Sequence, residues 1–455
     1  MKKGASALWL LVPILLFTVA GVFARVMTGL DHNEHMYVTA GVLVRQGRQL
    51  YRDFAYLQMP YLPLLYGGLY RWLGNGAYNL LASKLVSFLL IGLSAGVLFL
   101  HAQRVVHHRW LALNMAILFL LNATVVNSAS EVSNYILPVA LSMLGFLVFI
   151  VSLERVPVHS PGMALAGFLL ALAIGTKLTY ATLVIPFGIA GLIFGPRGVW
   201  MRGSLKDKAA ASFLPWLAGL GLGLLPVLYF ARDWDVFYFN NLGFHTTTGL
   251  WRQLTGFNRP MEVVLKLAYA GYQLFFKVHN LALVLAILAG LGANRPALRP
   301  RLKQIPPGLF LAISLALVAV LTAIVPTPSF YQYYAMPVSF LFLLLPYAYA
   351  ASPDPTVPQK RLLFVLTAAL LVFQAPAMLA SIRDLANREA WVGLHVHDVA
   401  MDMRGELAAR GTGAGGKVAT LSPLYAVEAN LPIYAELSTG PFLYRIGDML
   451  TAEQR

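Results

Sequence analysis

Asp31 and Glu34 stand three residues apart in Asp31-His32-Asn33-Glu34-His35, directly after the apolar span Leu8 to Met27. Ionisable residues at a membrane boundary invite a functional reading. On a helix starting here they would share one face. One carboxylate could then act as general base, taking a proton from an acceptor hydroxyl as it attacks an activated carbon. The same spacing also fits a capping box, in which Asp31 satisfies free helical amides and Glu34 reaches back. His32 and His35 could add metal ligands, although adjacent imidazoles equally suit a hydrated loop.

Downstream residues supply what such a base would need. Arg45, Arg48 and Arg52 carry guanidinium groups, whose planar paired donors match a phosphate leaving group. Tyr51, Tyr56 and Tyr61 offer aromatic walls in the same loop. Lys177, in Gly175-Thr176-Lys177-Leu178, lies between two short apolar halves, where it could hold a lipid-linked phosphate or snorkel to solvent. Phe330-Tyr331-Gln332-Tyr333-Tyr334 suits an interfacial aromatic belt or a sugar-stacking wall with Gln332 as its hydrogen-bonding partner. Glu131 is the other acid placed to approach Asp31. It could orient the acceptor or share with Asp31 a divalent cation such as Mg or Mn, or simply favour a helix start. His245, with Thr246 to Thr248 and Arg252/Arg259, could touch the acceptor. No phosphate-cradling loop, dinucleotide fingerprint or Cys/His metal spacing occurs.

The elements that must position these groups are membrane helices. The chain has 455 residues, 58% hydrophobic and 12% charged, with a mean hydropathy of +0.67, which excludes an ordinary soluble enzyme. With no cysteine, disulfides and thiol chemistry are absent. Taking roughly 20 apolar residues per span, helices are expected near 8–27, 78–100, 110–123, 134–153, 162–175, 179–194, 212–230, 263–292, 306–325, 336–351 and 362–380.

Lys+Arg number 34 against Asp+Glu 19, a net +15. The excess gathers in alternate short loops, Arg197 to Lys208 and Arg295 to Lys303 among them, so it reports topology and not a nucleic-acid partner. The first span reads as a retained signal anchor, with the N-terminus inside and the C-terminus outside. Residues 1–380 then form a transmembrane domain with a first outer loop at 28–77. There a short juxtamembrane helix from about Asn33 to Gln46 ends at Gly47, and Pro60, Pro63 and the apolar stripe through Trp72 suggest a second. Residues 381–455 form a small extracytoplasmic α/β region. In that region a helical run ends near Arg410, a Gly-rich break follows, and Lys417 to Leu421 is expected as a strand. The tail should pack over the outer face.

Asp31-His-Asn-Glu34, Ala40, Gly47, Leu50-Tyr51-Arg52-Asp53 and Pro60 resemble the first outer loop of GT-C membrane glycosyltransferases, in the bacterial protein-mannosyltransferase-like group that includes lipid A aminoarabinose and galacturonic acid transferases. Gly175-Thr-Lys177 and Phe330 to Tyr334 are similar to further landmarks of that group. The resemblance implies an all-α polytopic fold with about 11 transmembrane helices. It also implies transfer of a sugar from a polyprenyl-phosphate carrier, on the outer face of a bacterial inner membrane, to a hydroxyl of lipid A, core glycan or protein. Asp31 would be the base and Glu34 its supporting acid, while Lys177 and a first-loop arginine hold the phosphate. Two departures stand out: the acids are Asp-x-x-Glu and not adjacent, leaving the base open between Asp31 and Glu34, and Gln332 stands where histidine is frequent.

Attack opposite the phosphate would invert the anomeric centre. A lipid or sugar transporter or flippase is the alternative reading. It predicts polarity and broken helices at the midplane, whereas here polarity collects in the outer loops.

Overall fold

A computed structural model describes residues 5–29, 33–74, 78–194, 204–256, 262–292, 305–350, 357–411 and 416–451. Asp31, His32 and Arg259 lie outside them. Among the described residues, seven helices are long and apolar enough to cross a membrane, two more candidates are pairs bent at a break, and Ser160–Thr176 and Leu178–Ile193 are shorter apolar helices. Each of the expected apolar stretches falls on one of these. Helices are the form in which such segments satisfy their own backbone groups in hydrocarbon, and the chain is a multi-pass membrane protein.

The first helix, α1 (Ala5–Thr28), leads into α2 (Glu34–Arg45) and α3 (Tyr61–Leu73). Glu34 is the first residue of α2, and Asn33 precedes it without a side-chain cap bond; the capping box expected from Asp31 lies outside the described residues. Gly47, at φ +85°, turns the chain after α2, a conformation that favours glycine. Trp72 stands out from α3 with 82% of its surface exposed, while Tyr66 and Tyr70 are buried with the α2 residues Tyr37, Val38 and Val42. This second, smaller core also gathers Val396, Leu424 and Ile433 of the tail.

The bundle continues with α4 (Asn79–Val106), α5 (Arg109–Leu120), α6 (Ala123–Ser130), α7 (Ile136–Leu153), α8 (Ser160–Thr176) and α9 (Val184–Ile193). Helices α8 and Leu214–Ala231 approach backbone to backbone. A Cβ on Gly167 would lie 1.9 Å from the Trp216 carbonyl oxygen, and one on Gly219 would lie 1.8 Å from that of Ala164. Small residues permit this closeness between helices in lipid.

Several expectations are corrected. Between the spans expected at 110–123 and 134–153, α6 occupies most of the stretch from Asn122 to Ser133, bent 57° from α5. The Asn122 side chain causes the restart by accepting from the amides of Thr124 (3.1 Å) and Val125 (3.4 Å). The segment after Arg232 is also helical, at Trp234–Tyr238 and Phe244–Leu254. The apolar stretch over 263–292 breaks by 67° at Lys277, where Asn280 Nδ2 donates to the Gln273 carbonyl at 2.7 Å.

The tail is not α/β among the described residues. In place of a strand at Lys417 to Leu421 there is one isolated bridge, Val418 to Ile433, because no second extended segment is long enough to form a ladder beside it. Helix Val357–Asp384 runs past residue 380 before Val392–Ala409 and Pro423–Glu428 follow. These pack on the first-loop side of the bundle, as expected. Glu428 Oε1 accepts from the amide of Asn79 at 3.1 Å and pairs with His397 Nδ1 at 3.0 Å, and Ser438 Oγ donates to the Ala55 carbonyl at 3.1 Å.

Candidate active site

Two polar assemblies meet beneath the first loop. The inner one begins with Lys84, a lysine within the apolar α4 whose side chain is fully buried against the equally buried Glu34, 2.8 Å away. Its other two donors go to the carbonyls of Gly29 (2.5 Å) and Ser130 (3.0 Å), and Glu34 Oε1 also accepts from the amide of Val132 at 2.9 Å. Buried charges are tolerated when they are paired and hydrogen-bonded in this way. Glu34 is therefore enclosed at the root of the loop, away from any surface where an acceptor hydroxyl would arrive.

Glu131 sits between the two gripped residues, and Tyr331 donates a hydrogen bond to its Oε1. This joins the segment that follows α6 to the aromatic Phe330 to Tyr334 segment across 200 positions. Glu131 and Tyr331, two of the expected site residues, are thus brought together.

The second assembly is centred on Asn134. Its Oδ1 accepts from Tyr37 Oη at 3.1 Å and Lys177 Nζ at 3.4 Å, while its Nδ2 donates to Gln58 Oε1 at 2.8 Å. Gln58 Nε2 lies 3.4 Å from His245 Nε2, which in turn lies 3.1 Å from the Leu57 carbonyl oxygen. Burial lowers the His245 pKa to about 4, a direction opposed by the Leu57 carbonyl and reinforced by Lys177 and Arg252. At neutral pH its imidazole is uncharged and serves as a hydrogen-bonding group.

Lys177 emerges where α8 ends, in extended backbone (φ −150°, ψ 116°). Its Nζ lies 3.4 Å from the centre of the Tyr135 ring and 5.7 Å from that of Tyr333. These rings are 6.3 Å apart, and Phe330 stands edge-on to Tyr333 at 5.7 Å with the Arg252 guanidinium over it at 5.2 Å. Loss of hydration pushes the Lys177 ammonium down to about 7, with Glu131 pulling the other way. Among the described residues no carboxylate lies within ion-pair distance of Lys177. The result is an aromatic wall carrying two cations beside one acid.

The remaining expected residues divide. Tyr333 forms the wall, and Gln332 is half-buried beside it with its Oε1 enclosed and without a protein partner among the described residues. Tyr51 and Tyr56 are buried supports. Tyr51, at φ +69°, packs against Phe230 and Phe237 and donates to the Gln58 carbonyl at 2.5 Å. The Tyr56 amide donates to Asn240 Oδ1 at 3.1 Å. Arg48 and Arg52 are exposed, with no side-chain hydrogen bond or ion pair among the described residues, so they do not join the Lys177 cluster. The described residues contain no group of three His, Asp or Glu able to hold a metal. Glu131 alone is no donor set for a divalent cation.

Asn134, Tyr37, Tyr135 and Lys84 are the members that sequence reading passed over. Only Lys84 carried a signal, as an ionisable residue inside an apolar span.

No protein-family model matches the chain, and no curated protein is significantly similar to it in sequence. Solved structures do match, among them ArnT from Cupriavidus metallidurans in the apo state, with a TM-score of 0.53, and the same protein bound to undecaprenyl phosphate, with a TM-score of 0.50. Each is 15% identical, and 98% of this chain is matched to 77% of theirs. With its long apolar helices, two helices after the first span and a tail packed over them, this chain shares the fold of ArnT.

Proposed function

We propose that the protein transfers a sugar from a polyprenyl-phosphate carrier to a hydroxyl acceptor, on the extracytoplasmic face of a bacterial inner membrane. The observation that carries this is the state of Lys177: an ammonium held against aromatic faces, 3.4 Å from the Tyr135 ring centre, with no carboxylate at ion-pair distance among the described residues. A cation kept in that condition favours an incoming anion, and aromatic rings suit the face of a sugar attached to it. A polyprenyl tail dissolves only in the bilayer, which fits a site at the mouth of a membrane bundle.

In this reading Lys177 holds the carrier phosphate as first expected of it, and Arg252 takes the role expected of Arg48 and Arg52. The sugar lies along Tyr135 and Tyr333. Asp31 removes the proton from the acceptor hydroxyl, whose oxygen attacks the anomeric carbon from the face opposite the phosphate. The bond from that carbon to the phosphate oxygen breaks, the configuration inverts, and the polyprenyl phosphate leaves with its new charge beside Lys177. Glu131, held by Tyr331, orients the acceptor. Glu34 supports from within the fold and does not touch substrate. Gln332 and His245 supply hydrogen bonds to sugar or acceptor. No step is routed through a metal.

The experiment is transfer from a radiolabelled polyprenyl-phosphate sugar in membranes containing the wild-type chain, Asp31→Asn or Lys177→Met. Loss of product in both variants is the expected result. Wild-type turnover in Asp31→Asn would remove the base, and in Lys177→Met the phosphate site. Mass spectrometry of envelope lipids and glycans, with and without the chain, identifies sugar and acceptor together.

A further inference from the structure

Lys84 has three N–H donors and three acceptors, on Gly29, Glu34 and Ser130. Two of those are backbone carbonyls from different segments, the end of α1 and the end of α6. Glu34 closes the figure by accepting from Val132. The pair thus grips the chain on both sides of a single residue, Glu131, through the carbonyl before it and the amide after it. Glu131 itself is extended, at φ −89° and ψ 132°, so fixing both flanking peptides fixes the direction in which its side chain leaves. That side chain meets Tyr331 and acts on the Lys177 ammonium.

Stability alone does not account for this arrangement, since apolar side chains of similar volume commonly replace a buried ion pair without loss. What apolar side chains cannot do is hold a carbonyl and an amide in fixed directions. We infer that the Lys84–Glu34 pair is a positioning clamp for Glu131, setting where its carboxylate stands relative to Lys177 and Tyr331. The consequence for turnover rests on the reading proposed above; the geometric claim does not.

The test uses the full-length protein in membranes or detergent, comparing wild type with the double variant Glu34→Gln/Lys84→Met, which leaves no buried unpaired charge. The first readout is the pH dependence of Lys177 acylation by an amine reagent, resolved by peptide mass spectrometry. The ammonium faces Glu131, Tyr135, Tyr333 and His245, the last also under the influence of Arg252, and only Glu131 is released by the change. The midpoint is expected to fall below that of wild type, because the nearby carboxylate that favours the protonated form moves away. An unchanged midpoint overturns the clamp whether or not the protein transfers sugar.

The second readout is kinetic. The double variant should keep its affinity for polyprenyl phosphate within about threefold while kcat falls by about a hundredfold or more, within the usual range for a misplaced catalytic group. A purely structural pair would instead lower thermal stability and affinity together with kcat, or leave all three unchanged, and either result overturns the proposal.

Should the double variant fail to fold, Val132→Pro replaces it. It deletes the N–H that Glu34 accepts while keeping a buried apolar side chain at 132, and Glu131 already has the extended conformation a following proline requires. A smaller shift in the same direction is expected, and none would overturn the clamp.

Discussion

Replacing Lys177 by Met should turn the alkaline limb of activity into a flat line. Burial holds the free ammonium at about 7, so the cation is present below that pH and lost as pH rises through it. A sugar phosphodiester keeps one negative charge throughout this range. Above about pH 7, kcat/KM for the donor should therefore fall about tenfold per pH unit. An ammonium and a phosphate oxygen about 4 Å apart, at an effective dielectric of about 20, attract by about 4 kcal/mol. That is worth about three pKa units, which returns the bound lysine to about 10, so kcat should stay level to about pH 9.

Lys177→Met loses both the attraction and the titration. At pH 6.5 its donor KM should rise by about a hundredfold or more, and its alkaline limb should vanish. Lys177→Arg keeps a charge that does not titrate here, so it should lose the limb while binding within about tenfold of wild type. The assay is initial-rate transfer over pH 6 to about 9.5 with donor concentration varied at each pH. An alkaline limb that survives unchanged in Lys177→Met, or a donor KM within threefold of wild type, would refute the assignment.

Other consequences can be measured separately. Asp31→Asn should lower kcat by about 10² to 10⁴, the usual contribution of a general base, with donor affinity retained in a binding assay. Glu131→Gln keeps the volume and a hydrogen bond to Tyr331 but removes the charge; the Lys177 acylation midpoint should drop, and an unmoved midpoint would show that Glu131 does not act on that ammonium. Gly219→Val inserts a side chain where a Cβ already falls 1.8 Å from the Ala164 carbonyl oxygen. Separating α8 from its neighbour should cost about 1–3 kcal/mol, read as an earlier thermal transition in detergent. Glu428→Ala leaves the Asn79 amide and His397 without their buried acceptor, so limited proteolysis should cut the tail faster while α4 stays protected.

The sequence by itself determined the membrane class, the order of the apolar segments and the two helices after the first span. Those follow from local facts: runs of apolar residues long enough for a bilayer, basic residues gathered in alternate loops, Gly47 ending one helix and Pro60 beginning the next. It also marked Lys177, Glu131, Tyr331 and Tyr333, because polar and aromatic residues between apolar spans are conspicuous. Only the tertiary structure decided what they do together. Glu34 looked like half of a catalytic pair until Lys84, fifty residues on in α4, closed over it. Arg48 and Arg52 shared a loop with the acids yet point to solvent, while Arg252 comes to the aromatic wall from a distant helix. The two bent helices and the missing strand of the tail were equally hidden. Apolar periodicity says where a segment is buried, but a bend depends on which side chain satisfies the freed backbone group, as Asn122 and Asn280 do, and a strand depends on a partner to pair with. Partners far apart in the chain are set by packing, and packing is a property of the folded whole.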